Sequence, residues 1–414
     1  MKIQNLRLEK KGNRNRVAAA VIWEDCDRPT QELYFETDQR FAKDLSCSPH
    51  AFLVACLLPA MYYGEERISI DAEICPEFRD GLMTAMGWIH HWWYTPKQKR
   101  VRIEARAQAL PPFTQPRAGF FFSGGIDSLA TLRANRLHYP SKHPGSIKDG
   151  LLVYGLEVRE PESFEYVINS LSVLAKDADI TLVPVYTNIR QLGPEKDREF
   201  WAGFWINEFM GAVFAAIAHV FSKRLTSVSI NSSHDISNII PHGSHPLVDP
   251  NYSSSFLRIR YEGIALSRFA KTKLLTDWDL ALRHLRVCNE TKHYQAGMLN
   301  CGRCEKCVRT MLALLALGVL ENTPAFPRHD VTEELINATG RLAPNTFPLY
   351  GELLGPLAER GRDDLLRAVK RKMDDYHELQ WKMKWKKRML DPVKEFDGRY
   401  LKSNLKKLKK LVHA

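Results

Sequence analysis

The sequence predicts an α/β protein: a mainly parallel sheet covered by helices, preceded by an α+β region and followed by a helical tail. Three observations predict it. Short apolar runs alternate with helical stretches between Ala118 and Asn231, the pattern of βαβ units whose crossovers cover both faces of a parallel sheet. Residues before about 112 read as short alternating strands around one apolar helix. From Arg362 onward Lys, Leu, Met and Trp dominate, with no strand signal.

A chain of 414 residues exceeds one ordinary core. The expected division is an accessory α+β domain over 1–112, a central domain over 117–325 and a helical basic region over 326–414. In the first, Val17–Trp23, Glu32–Phe35, Ile68–Ile74 and Val101–Ala105 read as strands and Ala51–Met61 as a helix. The stretch from Gln108 to Pro116, QALPPFTQP, has a linker's composition. In the second, strands are expected at Ala118–Phe122, Leu151–Leu156, Ile180–Tyr186 and Ser227–Asn231. Helices are expected at Ile126–His138, Ser163–Ala175 and Glu199–Phe221. The tail helix should break near Asp391-Pro392 and Gly398.

Composition excludes several classes. Hydrophobic residues at 44% and charged residues at 26% rule out wholesale disorder. The most apolar stretch, Gly203–Phe221, is interrupted by Asn207, Glu208 and His219 and reads as a buried helix rather than a membrane span. The opening MKIQNLRLEKKGNRNRV lacks the apolar core of a secretory signal, so the expected location is cytoplasmic, with no membrane partner. Of the net charge of +11, residues 362–414 carry +9 (17 Lys and Arg against 8 Asp and Glu), leaving the body nearly neutral. Trp381 and Trp385 among those lysines suit nucleic acid; an amphipathic helix packing its Trp/Met/Leu face on the body is the preferred reading.

Two motifs carry chemistry. Phe120–Ser128 reads FFFSGGIDS, a strand, a glycine turn and a helix start. Gly124 and Gly125 let the backbone approach a phosphate, and the N–H groups of the helix start, from Ile126 on, attract anions. Ser123 and Ser128 add hydroxyls, and Asp127 suits Mg²⁺ or positioning of the loop. The plain alternative is a turn with Ser123 as helix cap. The second motif is Cys288 followed, after twelve residues, by Cys301-Gly-Arg-Cys304-Glu-Lys-Cys307. Four thiolates at this spacing form a closed structural Zn²⁺ site, with an iron–sulfur cluster as the rival. His293 is expected at the surface.

The string SGGIDS resembles the SGGxDS signature of the PP-loop ATP pyrophosphatases, whose core is adenine nucleotide alpha hydrolase-like. Together with the cysteine motif it resembles the 7-cyano-7-deazaguanine synthase (QueC) family over about Arg117–Leu320, in which an arginine follows the last cysteine, here Arg309. Two shorter segments are similar to that family: Ser232-Ser-His-Asp235-Ile-Ser237, near the substrate, and Phe269-Ala-Lys271, whose lysine faces the triphosphate. The resemblance implies catalytic roles for Asp127, Lys271 and Asp235, and ATP, Mg²⁺ and Zn²⁺ as cofactors. It implies ATP-dependent adenylation of a small 7-deazaguanine-like carboxylate, then amide or nitrile formation or conjugation to a protein. The long form is similar to QatC-type members of antiviral operons, which adds a protein acceptor or operon partner. Ile206-Asn207 stands where the family has Arg-Asn, and the loop His242–Pro250 has no counterpart there. A tRNA-modifying enzyme and a noncatalytic nucleotide-sensing scaffold are the alternatives.

Overall fold

The computed structural model describes residues 1–107 and 115–400, so most of the expected linker and the end of the basic tail lie outside the described residues. The N-terminal strands are β1 (Lys2–Lys11), β2 (Arg14–Ile22), β3 (Gln31–Asp38), β4 (Arg67–Ile74) and β5 (Arg102–Ala107). They are followed by β6 (Ala118–Phe121), β7 (Ile147–Tyr154), β8 (Thr181–Thr187), β9 (Ser227–Asn231) and β10 (Arg258–Glu262). All ten share one sheet, in the order β10-β9-β6-β7-β8-β3-β2-β1-β4-β5. From β10 to β8 every pairing is parallel, as the βαβ pattern requires.

The expected separate domain over 1–112 is corrected. Strand β3 lies antiparallel to β8, with Phe35 opposite Thr187 and Thr37 opposite Val185, and Met1–Asp330 packs as one unit. Side chains close this seam, partly because Pro184 has no N–H to give. Thr37 Oγ1 donates to the Pro184 carbonyl at 2.7 Å, Asn188 Oδ1 accepts from Tyr34 N at 2.9 Å, and Thr187 Oγ1 donates to the Tyr34 carbonyl at 2.8 Å. Strand β1 was not expected, because its KIQNLRLEKK sequence is polar. Ion pairs hold it instead: Arg7 pairs with Glu9 at 3.0 Å, and Arg16 reaches both Glu9 and Glu32.

Helix α1 (Pro49–Tyr62) is buried on every side from Ala51 to Met61, as an apolar helix inside a core must be. Helix α2 (Pro76–Trp93), also unexpected from sequence, buries Phe78, Leu82, Met86 and Ile89 on one face. Helices α3 (Ile126–His138) and α4 (Pro161–Asp177) make the crossovers from β6 to β7 and from β7 to β8. The long α5 (Asp197–Val220) is apolar and long enough to cross a membrane by composition, yet Phe204, Phe209, Val213 and Ile217 are buried in the protein core. Its segment Phe200–Phe209 is π-helical, which leaves backbone groups unpaired. The loop His242–Pro250 satisfies them: Gly243 N donates to the Ile206 carbonyl at 2.7 Å, and the Gly243 carbonyl accepts from Gly211 N at 2.8 Å. A Cβ at Gly243 would lie 2.6 Å from the Glu208 carbonyl carbon. Asp249 closes the loop from within, accepting from Ser244 Oγ at 2.6 Å and His245 N at 3.2 Å.

The second unit starts at Val331 rather than 326. After α6 (Arg268–Lys273), α7 (Asp279–His284) and α8 (Glu305–Ala316) of the first unit, it holds α9 (Glu333–Ala338), α10 (Phe347–Gly351), α11 (Leu354–Glu359) and α12 (Asp363–Tyr400). Helix α12 runs through Pro392 and Gly398 without the expected break. The preferred packing of the tail's Trp/Met face is also corrected: Trp381, Met383 and Trp385 are more than half exposed. Trp381 and Trp385, four residues apart, share one face of the helix, with Met383 on the opposite side.

Burial raises the Glu208 carboxyl to about 7, against a 2.5 Å hydrogen bond from Tyr94 Oη that favours its charged form. Its folded value lies above its unfolded one, so folding retains a proton that the unfolded chain gives up between about pH 4.5 and 7. This contribution therefore weakens as pH rises through that window. Glu208→Gln removes the dependence, by at most about 3 kcal/mol. The melting temperature of the variant relative to wild type should be higher at pH 8 than at pH 5; a constant difference would place the Glu208 titration outside this range.

Candidate functional site

The chain order of the central strands decides where a site can form. From β6 the chain winds through β7 and β8 on one side, then returns to place β9 on the other side of β6. The loops leaving β6 and β9 therefore diverge at the carboxyl ends of neighbouring parallel strands, the switch point at which α/β sheets open a crevice. Asn231, ending β9, donates from Nδ2 to the Phe121 carbonyl ending β6 at 2.6 Å.

The loop after β6 is Phe122-Ser123-Gly124-Gly125, and α3 starts directly behind it. Ser123 is not the helix cap; Gly125 occupies that position. Ser123 Oγ instead accepts from Gly125 N at 3.3 Å, and Ser128 Oγ donates to the Gly125 carbonyl at 3.0 Å. Gly124 has φ +76°, and a Cβ there would lie 2.7 Å from Leu171 Cδ2. The first-turn N–H groups of this 13-residue helix have no partner within the helix. They give the loop end an affinity for anions.

Asp127 stands in the first turn of α3 and is the hub of the polar contacts. Arg268 reaches its Oδ2 at 3.0 Å and Lys271 its Oδ1 at 3.5 Å. Ser233 Oγ, just after β9, donates to Oδ2 at 3.3 Å. Both cations come from the short helix α6 (Arg268–Lys273), capped by Ser267 Oγ accepting from Ala270 N at 3.2 Å. Lys271 is only 1% exposed and donates to the Ser232 carbonyl at 2.5 Å. Burial pulls its ammonium below the usual lysine value, and the Asp127 charge opposes this. Asp235 lies in the same electrostatic field and accepts from Asn238 Nδ2 at 2.6 Å. His234 is held below its ordinary value, first by burial and then by Arg268, and its Nδ1 is buried without a hydrogen-bond partner.

The structure thus brings together Ser123, Gly124, Gly125, Ile126, Asp127, Ser128 and Lys271, with Asp235 at the margin. Arg268, Ser233 and His234 complete the group and were missed by sequence reasoning. Arg268 had a signal, since it lies three residues before Lys271 and so on the same helical face. The loop His242–Pro250 divides: Asp249 and His245 are built into the α5 junction, while His242 is held down to about 4, first by burial and then by its neighbour His234.

The four cysteines form a second centre. The sulfurs of Cys288, Cys301, Cys304 and Cys307 all lie within 4.8 Å of one another, with Cys288–Cys304 at 3.8 Å and Cys301–Cys307 at 4.0 Å. A zinc ion with Zn–S bonds of about 2.3 Å puts its ligands about 3.8 Å apart, so the set fits one tetrahedral ion. An iron–sulfur cube needs its thiolates spread around four irons, farther apart than this. Backbone N–H groups of Glu290 and Cys304 point at Cys288 and Cys301 sulfurs at 3.3 Å. Cys307 begins the buried face of α8 (Glu305–Ala316), whereas helix α7 (Asp279–His284) leads into the knuckle from the other side. His293 is outside the cluster and bonds Arg303 at 2.8 Å.

Arg286 joins the two centres, and nothing in its sequence context marked it. Its backbone N donates to the Gly124 carbonyl at 2.8 Å and its Nη1 to the Ser123 carbonyl at 2.9 Å. Its Nε donates to Tyr294 Oη at 2.9 Å, and that hydroxyl donates to the Cys288 carbonyl at 2.5 Å. The knuckle therefore holds the glycine loop in shape.

Comparison with protein-family models, curated proteins and solved structures finds no match for this chain.

Two outcomes test this construction. Cys304→Ser should remove the bound metal, read by elemental analysis, and lower the melting temperature by several degrees; unchanged metal content would refute the ligand set. Gly124→Ala should destabilise by about 1–3 kcal/mol, whereas Gly125→Ala, with φ −82° and its nearest Cβ neighbours at 3.4 Å, should leave the melting curve nearly unchanged. Equal melting shifts for the two would contradict the loop geometry.

Proposed function

We propose that the chain is an ATP-dependent carbon–nitrogen ligase that adenylates a carboxylate with release of pyrophosphate, as the motifs it shares with the PP-loop and QueC-like enzymes imply. The observation that carries this reading is the SGGIDS loop at the switch point, with Asp127, Arg268 and Lys271 gathered at its helix end.

In this reading the Ser123–Ser128 loop cradles the β- and γ-phosphates through backbone N–H groups and the two serine hydroxyls. A substrate carboxylate oxygen attacks the α-phosphorus. The α–β bridging P–O bond breaks, and its electron pair leaves with pyrophosphate. Lys271 and Arg268 stabilise the negative charge that develops on the phosphates. Asp127, with Asp235 beside it, would hold Mg²⁺, which supplies charge neutralisation on the pyrophosphate when bound. A nitrogen nucleophile then attacks the acyl carbon and AMP leaves. His234, kept neutral by burial, is placed to take the proton that the nitrogen loses. Ammonia as nucleophile yields an amide; the likeness to defence-operon members favours a protein amine as acceptor.

A tRNA-modifying role is the second reading, and the exposed Trp381 and Trp385 on a basic helix favour it. It predicts RNA binding that falls steeply between 50 and 200 mM salt.

The test is exchange of labelled pyrophosphate into ATP in the presence of Mg²⁺ and a carboxylic acid such as 7-carboxy-7-deazaguanine. Wild type should catalyse acid-dependent exchange. Lys271→Met and Asp127→Ala should each reduce it by at least about 100-fold, within the range of losing one electrostatic stabiliser of the transition state, with unchanged circular dichroism. Full exchange by either variant would remove that residue from the mechanism. Exchange by none of the proteins with any acid would count against adenylation.

A further inference from the structure

Two carboxyls meet where the loop His242–Pro250 seats on α5, and neither forms an ion pair among the described residues. Asp249 is fully buried and Glu208 is 6% exposed. Asp249 comes from the loop and lies directly against the helix, where a Cβ on Gly211 would collide with its Oδ1. Glu208 comes from the helix and lies under the loop, where a Cβ on Gly243 would stand 2.7 Å from its backbone N. Backbone bonds from Gly243 to Ile206 and Gly211 join the two elements.

The groups facing these carboxyls bring no positive charge at neutral pH. Tyr94, just past α2, donates to Glu208, and Tyr62, ending α1, feels its charge. Asp249 faces Ser244 and the His245 N–H within the loop, Tyr252 just after it, and Tyr261 on β10. Tyr252 Oη is buried without a hydrogen-bond partner. Burial holds His242 and His219 at about 4, and it also lowers His245, which lies against Trp92 of α2.

An ionised carboxylate in such surroundings is costly. Burial accordingly raises both groups to about 7, so below that value each is held neutral. A protonated Asp249 keeps both of its bonds, with Oδ1 accepting from His245 N and Oδ2 sharing a proton with Ser244 Oγ. Once both groups ionise, the junction contains two charges with no cation between them. The loop is the part free to move, because Pro241, Leu247 and Pro250 already lie exposed on its outer side. We propose that His242–Pro250 is a pH-gated latch, seated on α5 while Asp249 and Glu208 are protonated and released when they ionise. The chain reaches this loop directly from Ser233 and His234, so release loosens that wall of the crevice. The seated loop retains protons that the released loop gives up. Seating is therefore strongest in acid, weakens as pH rises to about 7, and changes little beyond. The latch does not depend on the ligase reading.

The test is hydrogen–deuterium exchange of the full chain, read by mass spectrometry at pH 5 and pH 8 with labelling times scaled for the intrinsic exchange rate. Between these values the amides of 242–252 should lose protection by at least about tenfold for each carboxyl that ionises. They should do so at labelling times when the amides of α1 remain protected. Asp249→Asn matches the protonated carboxyl in shape and in donors. It and Glu208→Gln should each lessen the change by at least about tenfold, and the double variant should exchange alike at both pH values. If Asp249→Asn fails to fold, Glu208→Gln and the wild-type profile carry the test. Protection of 242–252 that is equal at pH 5 and pH 8 overturns the inference. So does exchange of α1 in step with the loop, or a pH response that survives undiminished in the folded variants.

Discussion

The crossover that carries the chain from β8 back past β6 to β9 is the constraint on which the rest of the structure depends. Without it the loops after β6 and β9 would run to the same side and close over the sheet edge. With it, the first turn of α3 and the segment 232–238 face each other across a crevice, and Ser233 reaches Asp127. Helix α5 makes that return, which accounts for its length and its burial. Its π-helical stretch and the loop that plugs it, with Gly243 seated between Ile206 and Gly211, hold this connection in one conformation.

The glycine loop has no rigid covalent support of its own, and its shape comes from what packs behind it. Leu171 fills the space beneath Gly124, and Arg286 takes the Ser123 carbonyl and, through Tyr294, the Cys288 carbonyl. The cysteine cluster is closed, with four thiols and no fifth protein ligand among the described residues. A metal held there does no chemistry on a substrate, but it fixes the segment from which Arg286 projects. Loop geometry and metal binding are therefore coupled through one buried arginine.

Much of this was legible in the sequence, for identifiable reasons. The central strands and helices announced themselves because parallel strands buried on both faces are continuous apolar runs. The glycine turn and the cysteines were legible because a left-handed Gly124 and four clustered thiols tolerate few other residues at those positions. Strand β1 was not, since it buries only Ile3 in a polar run and is held by its backbone ladder to β2, with Arg16 pairing Glu9 across the strands. Nor was the β3–β8 seam, an antiparallel pairing of residues about 150 apart reinforced by side-chain hydrogen bonds, since nothing local in either strand marks so distant a partner. Arg286 and His234 were invisible for a similar reason: each acts through a position that only the fold creates. The tail helix went the other way, because local breaker signals at Pro392 and Gly398 are outweighed by the strong helix formers around them.

Lys271 is the residue through which the first turn of α3 and the segment after β9 meet. A buried ammonium is costly unless its charge is answered, and here Asp127 and the Ser232 carbonyl answer it. A compact, three-donor cation suits this position where a guanidinium would not, since its donors diverge to different partners instead of forming one planar fork.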